Sequence, residues 1–187
     1  MVSGDGFPPG CALIEVHVSE LQQLFNSLDP TPFRKRDLDP KAEEFIAEWA
    51  REIHGDRPLG LLVHVDRASE KPDALAIVTG AVRDYFADRA AATRRKLRLL
   101  FRVGRTSLII GIVFLAASIV VGNLVEEMLE HTRFAGVASE SLLIGGWVAM
   151  WRPLEIFLYD WWPIRAEARL FDRLSTMTVR VVPSRAA

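Results

Sequence analysis

A single cysteine, Cys11, in 187 residues excludes an intrachain disulfide and a Cys-rich zinc module, since each needs more than one thiol. Cys11 has no fixed basic neighbour in the sequence, so nothing marks it as an activated nucleophile. The chain also lacks a nucleophile elbow, a Walker loop, a dinucleotide fingerprint and an HExxH helix. No enzyme class is indicated, and neither a cofactor nor a bound metal is expected. A formal net charge of −1 leaves no basic excess to bind nucleic acid. The opening "MVSGDGFPPGCALIEVHV" has no basic n-region and no unbroken apolar core, and it carries Asp5 and two prolines. It is not a secretory signal, so the chain is expected to begin in the cytosol.

What is present is unevenly spread. Apolar residues make up 50% and charged residues 25%, a globular balance. The apolar ones, however, crowd between Thr106 and Pro163, while the charges fill the first hundred residues and the last twenty-five. That asymmetry predicts a soluble part joined to a membrane part.

In the soluble part, "CALIEVHV" alternates, with Ile14, Val16 and Val18 on one face and Glu15 and His17 on the other, which predicts a half-buried strand. "SELQQLFNSL" has capping-box spacing at Ser19 and Gln22 and apolar residues at helical period, which predicts a short helix. "DPTPFRKRDLDP" packs prolines and bases together and reads as a loop ending in Asp39 as N-cap and Pro40 at the first helical position. A helix from Pro40 to Ile53 is expected to bury Phe45, Ile46, Trp49 and Ile53, with Gly55 ending it. "LGLLVHVD" predicts a second strand, and strand, helix, strand in that order predicts a right-handed parallel crossover. Ile164, Ala168, Phe171 and Leu174 then mark a C-terminal helix, and "TVRVVP" a third strand.

From Pro72 to Arg105 there is no further proline, so one helix is expected to run into the first span, residues 106–125. Its twenty residues match the roughly 30 Å of hydrocarbon. Seven basic residues and no acidic one lie from Arg89 to Arg105, which places that flank in the cytoplasm. The segment 126–140 carries four glutamates against one arginine and belongs outside.

The second span is less clean. Only Leu142 to Trp151 is uninterrupted apolar sequence, and such a run reaches about 15 Å, half of a crossing. One frame runs from Leu142 to Trp161, with Arg152 near the midplane, Glu155 one turn away, and Trp161 and Trp162 in the interfacial belt. The other runs from Phe134 to Trp151, buries Glu140 and lets Arg152 snorkel. The apolar "IFLY" run and the paired tryptophans before Pro163 favour the first. Pro153 predicts a kink or break, after which Glu155 meets the positive end of a new helix and can pair with Arg152. Arg152, Glu155 and Asp160 are thus intramembrane polar candidates, read first as an ion pair that fixes register and second as an ion path.

On the first span Gly104, Ser107, Gly111, Ser118 and Gly122 fall within about 60° of one another, a small-residue stripe for close helix packing. Gly145 and Ala149 offer a matching pair on the second, and packing within one hairpin is favoured over a homodimer. His17 and His64 occupy equivalent places in two "VHV" runs, with Glu15, Asp66 and Arg180 on the same polar face if those strands adjoin. Exposed or partner-facing histidines are the simpler expectation, because a metal needs at least three convergent ligands. Arg34, Lys35 and Arg36 in the loop, with Arg94, Arg95 and Lys96 beside the first span, are candidate contacts for anionic headgroups or a partner.

"SLDPTPFRKRDLDPKAEEFIAEWA" and "WRPLEIFLYDWWPIRAEARLFDRL" resemble stretches in a group of uncharacterised bacterial two-span membrane proteins, a domain of unknown function, and the resemblance covers about Leu13 to Val182. It implies a bacterial cytoplasmic membrane and no activity. The expected architecture is a small three-stranded α/β fold in the cytoplasm, interrupted by a two-helix transmembrane hairpin. Its parts are a disordered start (1–10), an α/β part (11–105), spans at 106–125 and 141–162 around an outer loop (126–140), and a returning helix and strand (163–187). Both termini are expected inside. The expected role is non-enzymatic, as an accessory, scaffold or regulatory protein that contacts lipids and a protein partner or further copies of itself. A small oligomeric transporter is the alternative, and a membrane metalloenzyme on His17 and His64 the third reading.

Overall fold

The structure, a computed structural model, describes residues 6–25, 37–53, 55, 57–66, 72–128 and 133–184. The chain is mostly helical, 74%, with a small parallel sheet of three strands and helices packed on it. In order come β1 (Ala12–Val18), a 3-10 turn (Leu21–Leu24), α1 (Pro40–Glu52), β2 (Leu59–Val65), α2 (Pro72–Met128), α3 (Arg133–Glu155), a π-helical turn (Ile156–Asp160), α4 (Trp161–Ser175) and β3 (Thr178–Pro183). These divide into two compact units. One combines residues 1–93 with 166–187, and the other is residues 94–165.

In the first unit β2 is central, paired in parallel with β1 on one side and β3 on the other. The central place suits its sequence, because "LGLLV" is apolar on both faces. Ile14, Leu61, Val63, Val65 and Val179 face a core built by the helices. α2 sends Val78, Val82, Phe86 and Ala90 into it at four-residue intervals, α1 adds Ile46, Ala47 and Ala50, and α4 adds Leu170, Phe171 and Leu174. Phe86 and Phe171 stack at 6.1 Å in its middle. Asp39 caps α1 as its sequence predicts, accepting the Lys41 amide at 2.9 Å with Pro40 at the first turn. At the far end of α4, Arg83 donates to the Ser175 carbonyl, satisfying one of the last carbonyls of that helix.

Several expectations are corrected. Phe45 and Trp49 are not buried: they are 40% and 48% exposed and lie against each other on the outer side of α1. The inner side is held by Ile46 and by Ala47 and Ala50, whose small side chains let the helix lie close. Within "SELQQLFNSL" Leu21–Leu24 form a 3-10 turn, Phe25 leaves it to bridge Leu38 in extended pairing, Ser19 is met by Gln23 rather than Gln22, and the last three residues lie outside the described ones. Pro153 does not break its helix. The run stays helical from Arg133 to Ser175 and absorbs the proline through the π turn. α4 consequently begins at Trp161, ahead of Ile164. The first compact unit ends at residue 93, and Ala90 is the last residue α2 puts into its core.

The second unit is a pair of helices. Its members belong to the two helical runs long and apolar enough to cross a membrane, whose most apolar stretches have mean hydropathy 2.6 and 1.2. Gly104, Gly111, Ser118 and Gly122 are buried and Ser107 half-buried, so the stripe faces the neighbouring helix. Side chains at Gly104 and Gly122 would meet Ile156 and Ser139. Gly145 is open and makes no such contact. Gly146 packs instead, against Leu115 and Ser118.

Candidate functional site

The outer face of the sheet carries Leu13, Glu15 and His17 from β1, Gly60, Leu62 and His64 from β2, and Thr178, Arg180 and Val182 from β3. The parallel register aligns Glu15 with Leu62 and Arg180, and His17 with His64 and Val182. Leu62 is 6% exposed yet lies outside the helical core cluster, which confirms that it points away from the helices. Phe7 and Cys11 lie on this face. Phe7 sits over Gly60, where a Cβ would come within 2.7 Å of its ring and 2.9 Å of Cys11 Sγ. The Arg180 guanidinium lies over that ring, 5.7 Å from its centroid. Burial beneath this stretch pushes the Cys11 thiol pKa up.

The strand register sets the two "VHV" runs side by side. His17 and His64 stack, with ring centroids 4.3 Å apart and planes 14° from parallel. Glu15, two residues before His17 on the same face, brings a carboxylate oxygen to 3.6 Å from His64 Nε2. That separation is too long for a hydrogen bond, and Nε2 is sealed from solvent with no hydrogen-bond partner among the described residues. One ligating atom from each of Glu15, His17 and His64 lies within 4.8 Å of the others. Asp66 and Arg180 do not join the cluster. Asp66 sits beyond the end of β2, with its amide bonded to the Val18 carbonyl.

Arg152, Glu155 and Asp160 also come together. The guanidinium bonds Glu155 at 2.8 Å and reaches Asp160 at 3.4 Å, across the π turn. Pro153 has no amide to give the Ala149 carbonyl, and Gly111 of α2 faces that oxygen, where a Cβ would stand 3.2 Å away. The π turn leaves Phe157 O to accept from the Trp161 indole at 2.9 Å. Arg94, Arg95 and Lys96 are exposed on α2, whereas Arg34, Lys35 and Arg36 lie outside the described residues.

Sequence reasoning missed a polar clamp in the first unit. Glu43 of α1 accepts the Tyr85 hydroxyl on one oxygen and Arg89 on the other, each at 2.6 Å, and Arg89 also lies over the Phe171 ring. Burial, and then the bond to Glu43, raise the Tyr85 pKa well above its ordinary value. Burial works against the charge of Arg89, but Glu43 outweighs it and the guanidinium pKa ends up raised. The available signal was Tyr85 and Arg89 at four-residue spacing on the helix that carries Phe86 inward.

Comparison with known protein families, with curated proteins and with solved structures gives no match.

Proposed function

We propose that this chain is a two-span protein of the bacterial cytoplasmic membrane, with both termini inside. It works without catalysis, as an accessory, scaffold or regulatory protein that engages a protein partner through the open face of its sheet. That face is the observation that carries the reading. All-parallel sheets are almost always covered on both sides; among the described residues the helical core covers one face here, and Phe7 and Cys11 lie over Gly60 on the other. The accessible part of that second face, with Glu15, His17 and Arg180 exposed beside half-buried Leu13, Thr178 and Val182, offers a mixed polar and apolar surface of the kind a regulated interface uses.

The membrane assignment is supported by which residues of the helical pair point outward. Ile109, Ile110, Val113, Phe114, Val120 and Trp147 are each at least half exposed, while Ser118 is buried. Apolar side chains outside and small or polar ones inside is the arrangement lipid favours. Arg152 is engaged by both neighbouring carboxylates, which supports a register-fixing role over an ion path.

The test is site-specific photo-cross-linking in native membranes, with the reactive residue at His17 on the open face or at Glu48 on the exposed side of α1. A heteropartner captured from His17 and not from Glu48 is the expected result. Capture of only the chain itself, or equal capture from both positions, overturns the reading and moves weight to a self-assembling transporter. In that case exchanging Arg152 and Glu155, which a structural pair tolerates and a conduction path does not, becomes the deciding experiment.

A further inference from the structure

The geometry points to a divalent transition-metal site on the outer sheet face, with Glu15, His17 and His64 as protein ligands and the remaining coordination open to solvent or to a ligand. Two imidazoles and a carboxylate select borderline ions of the Zn2+ class over the hard cations Mg2+ and Ca2+, which prefer all-oxygen sites. Three protein ligands with an open position is the pattern that zinc adopts outside purely structural sites.

Four observations carry the site. The ligands come from adjacent strands in fixed register, His17 directly opposite His64 and Glu15 two residues earlier on the same face. Strands hold such a set more precisely than loops would. The three donor atoms already lie within 4.8 Å, whereas ligands about 2.0–2.1 Å from a tetrahedral ion stand roughly 3.3 Å apart. Glu15 and His17 are exposed while His64 is the half-buried anchor, and binding requires the His17 ring to turn out of its parallel stack so that both imidazoles aim a nitrogen at one ion. Finally, His64 Nε2 is shut off from solvent with no hydrogen-bond partner among the described residues, a condition that an ion would relieve.

The site is independent of the partner reading, because it is measured on the isolated chain. The experiment is Zn2+ titration by calorimetry, with total metal measured after dialysis, on the untagged full-length protein in a non-ionic detergent. One Zn2+ per chain is expected, resistant to excess Mg2+ and Ca2+. Co2+ loaded in its place should give a visible d–d absorption. His17→Gln and Glu15→Gln, both at exposed positions, should each weaken binding at least about tenfold, and His17→Gln with His64→Gln should abolish it. Changing the other two histidines, His54→Gln with His131→Gln, should leave it intact. The wild-type stoichiometry needs no variant to fold, so absence of a bound equivalent overturns the site outright. Binding that survives the His17→Gln/His64→Gln pair, or that vanishes with His54 and His131, overturns it as well.

Discussion

Replacing Glu43 by Gln keeps the size of the side chain and removes its charge, and the structure gives the consequence a magnitude. Each carboxylate oxygen has a donor at 2.6 Å, Tyr85 Oη on one and Arg89 on the other. An amide can accept from only one of them and turns its NH2 group on the other. The Tyr85 bond is half-buried and of the charge-assisted kind, contributing about 1.5–3 kcal/mol. The Arg89 side chain is 45% exposed, so solvent screening reduces its share to about 0.5–1 kcal/mol. With one of the two bonds partly retained, a loss of about 2 kcal/mol follows, equal to about a thirtyfold larger opening constant for α1. Amide hydrogen exchange followed by mass spectrometry on the full chain in detergent reads that opening directly, without reversible global unfolding. Peptides covering Pro40–Glu52 should exchange about thirtyfold faster in Glu43→Gln, with peptides from residues 106–125 unchanged. Tyr85→Phe combined with Glu43→Gln should be less than additive by about 1 kcal/mol. A change in α1 exchange below about threefold, or full additivity, would refute the clamp as a stabilising unit.

Other perturbations test other parts of the fold. Gly60→Ala puts a methyl group where Phe7 and Cys11 sit, so it should lift that stretch and speed iodoacetamide labelling of Cys11, the only thiol in the chain; an unchanged rate would mean Phe7 is not seated there. Phe86 is 0% exposed, so Phe86→Ala should cost about 3–5 kcal/mol and lower the thermal midpoint by circular dichroism, whereas Phe45→Ala on the outer side of α1 should barely move it. Because the Tyr85 pKa is raised on folding, the folded unit keeps a proton that the unfolded chain gives up. Stability is therefore full below pH of about 10 and falls above it, by less than ~1.4 kcal/mol per pH unit for a half-buried ring, and Tyr85→Phe should flatten that limb of the melting profile. Gly111→Leu should disrupt the helical pair, seen as loss of a disulfide engineered between its helices, because the side chain would meet Met150 and the Ala149 carbonyl.

Much of this was readable in the sequence, for identifiable reasons. Alternation fixed the three strands, and Asp39 followed by Pro40 fixed the start of α1, because both signals are local. The equivalence of His17 and His64 was visible, but their contact depended on strand order, which no local pattern encodes. The outward placement of Phe45 and Trp49 was misread since an amphipathic period gives the width of an apolar stripe more firmly than its centre; Ala47 and Ala50 moved that centre. Pro153 was read by its usual effect, and the π turn that accommodates it arises from a five-residue hydrogen-bond shift that sequence does not announce. The orphaned nitrogen of His64 and the three-way contacts of Glu43 are tertiary facts, set by how helices and strands from distant parts of the chain meet.

The sheet closes with a strand from the far end of the chain: β1 and β2 are complete by Val65, and β3 arrives only at Thr178. During synthesis, then, the β2 edge waits bare until both long helices have been made. On the two-span reading, β3 can reach that edge only if the second helix has come back to the side from which the first departed. A chain threaded the wrong way would strand β3 across the bilayer and keep an apolar edge open to proteases and to aggregation. On that reading, completion of the sheet acts as a built-in inspection of membrane topology, in which folding itself certifies correct insertion.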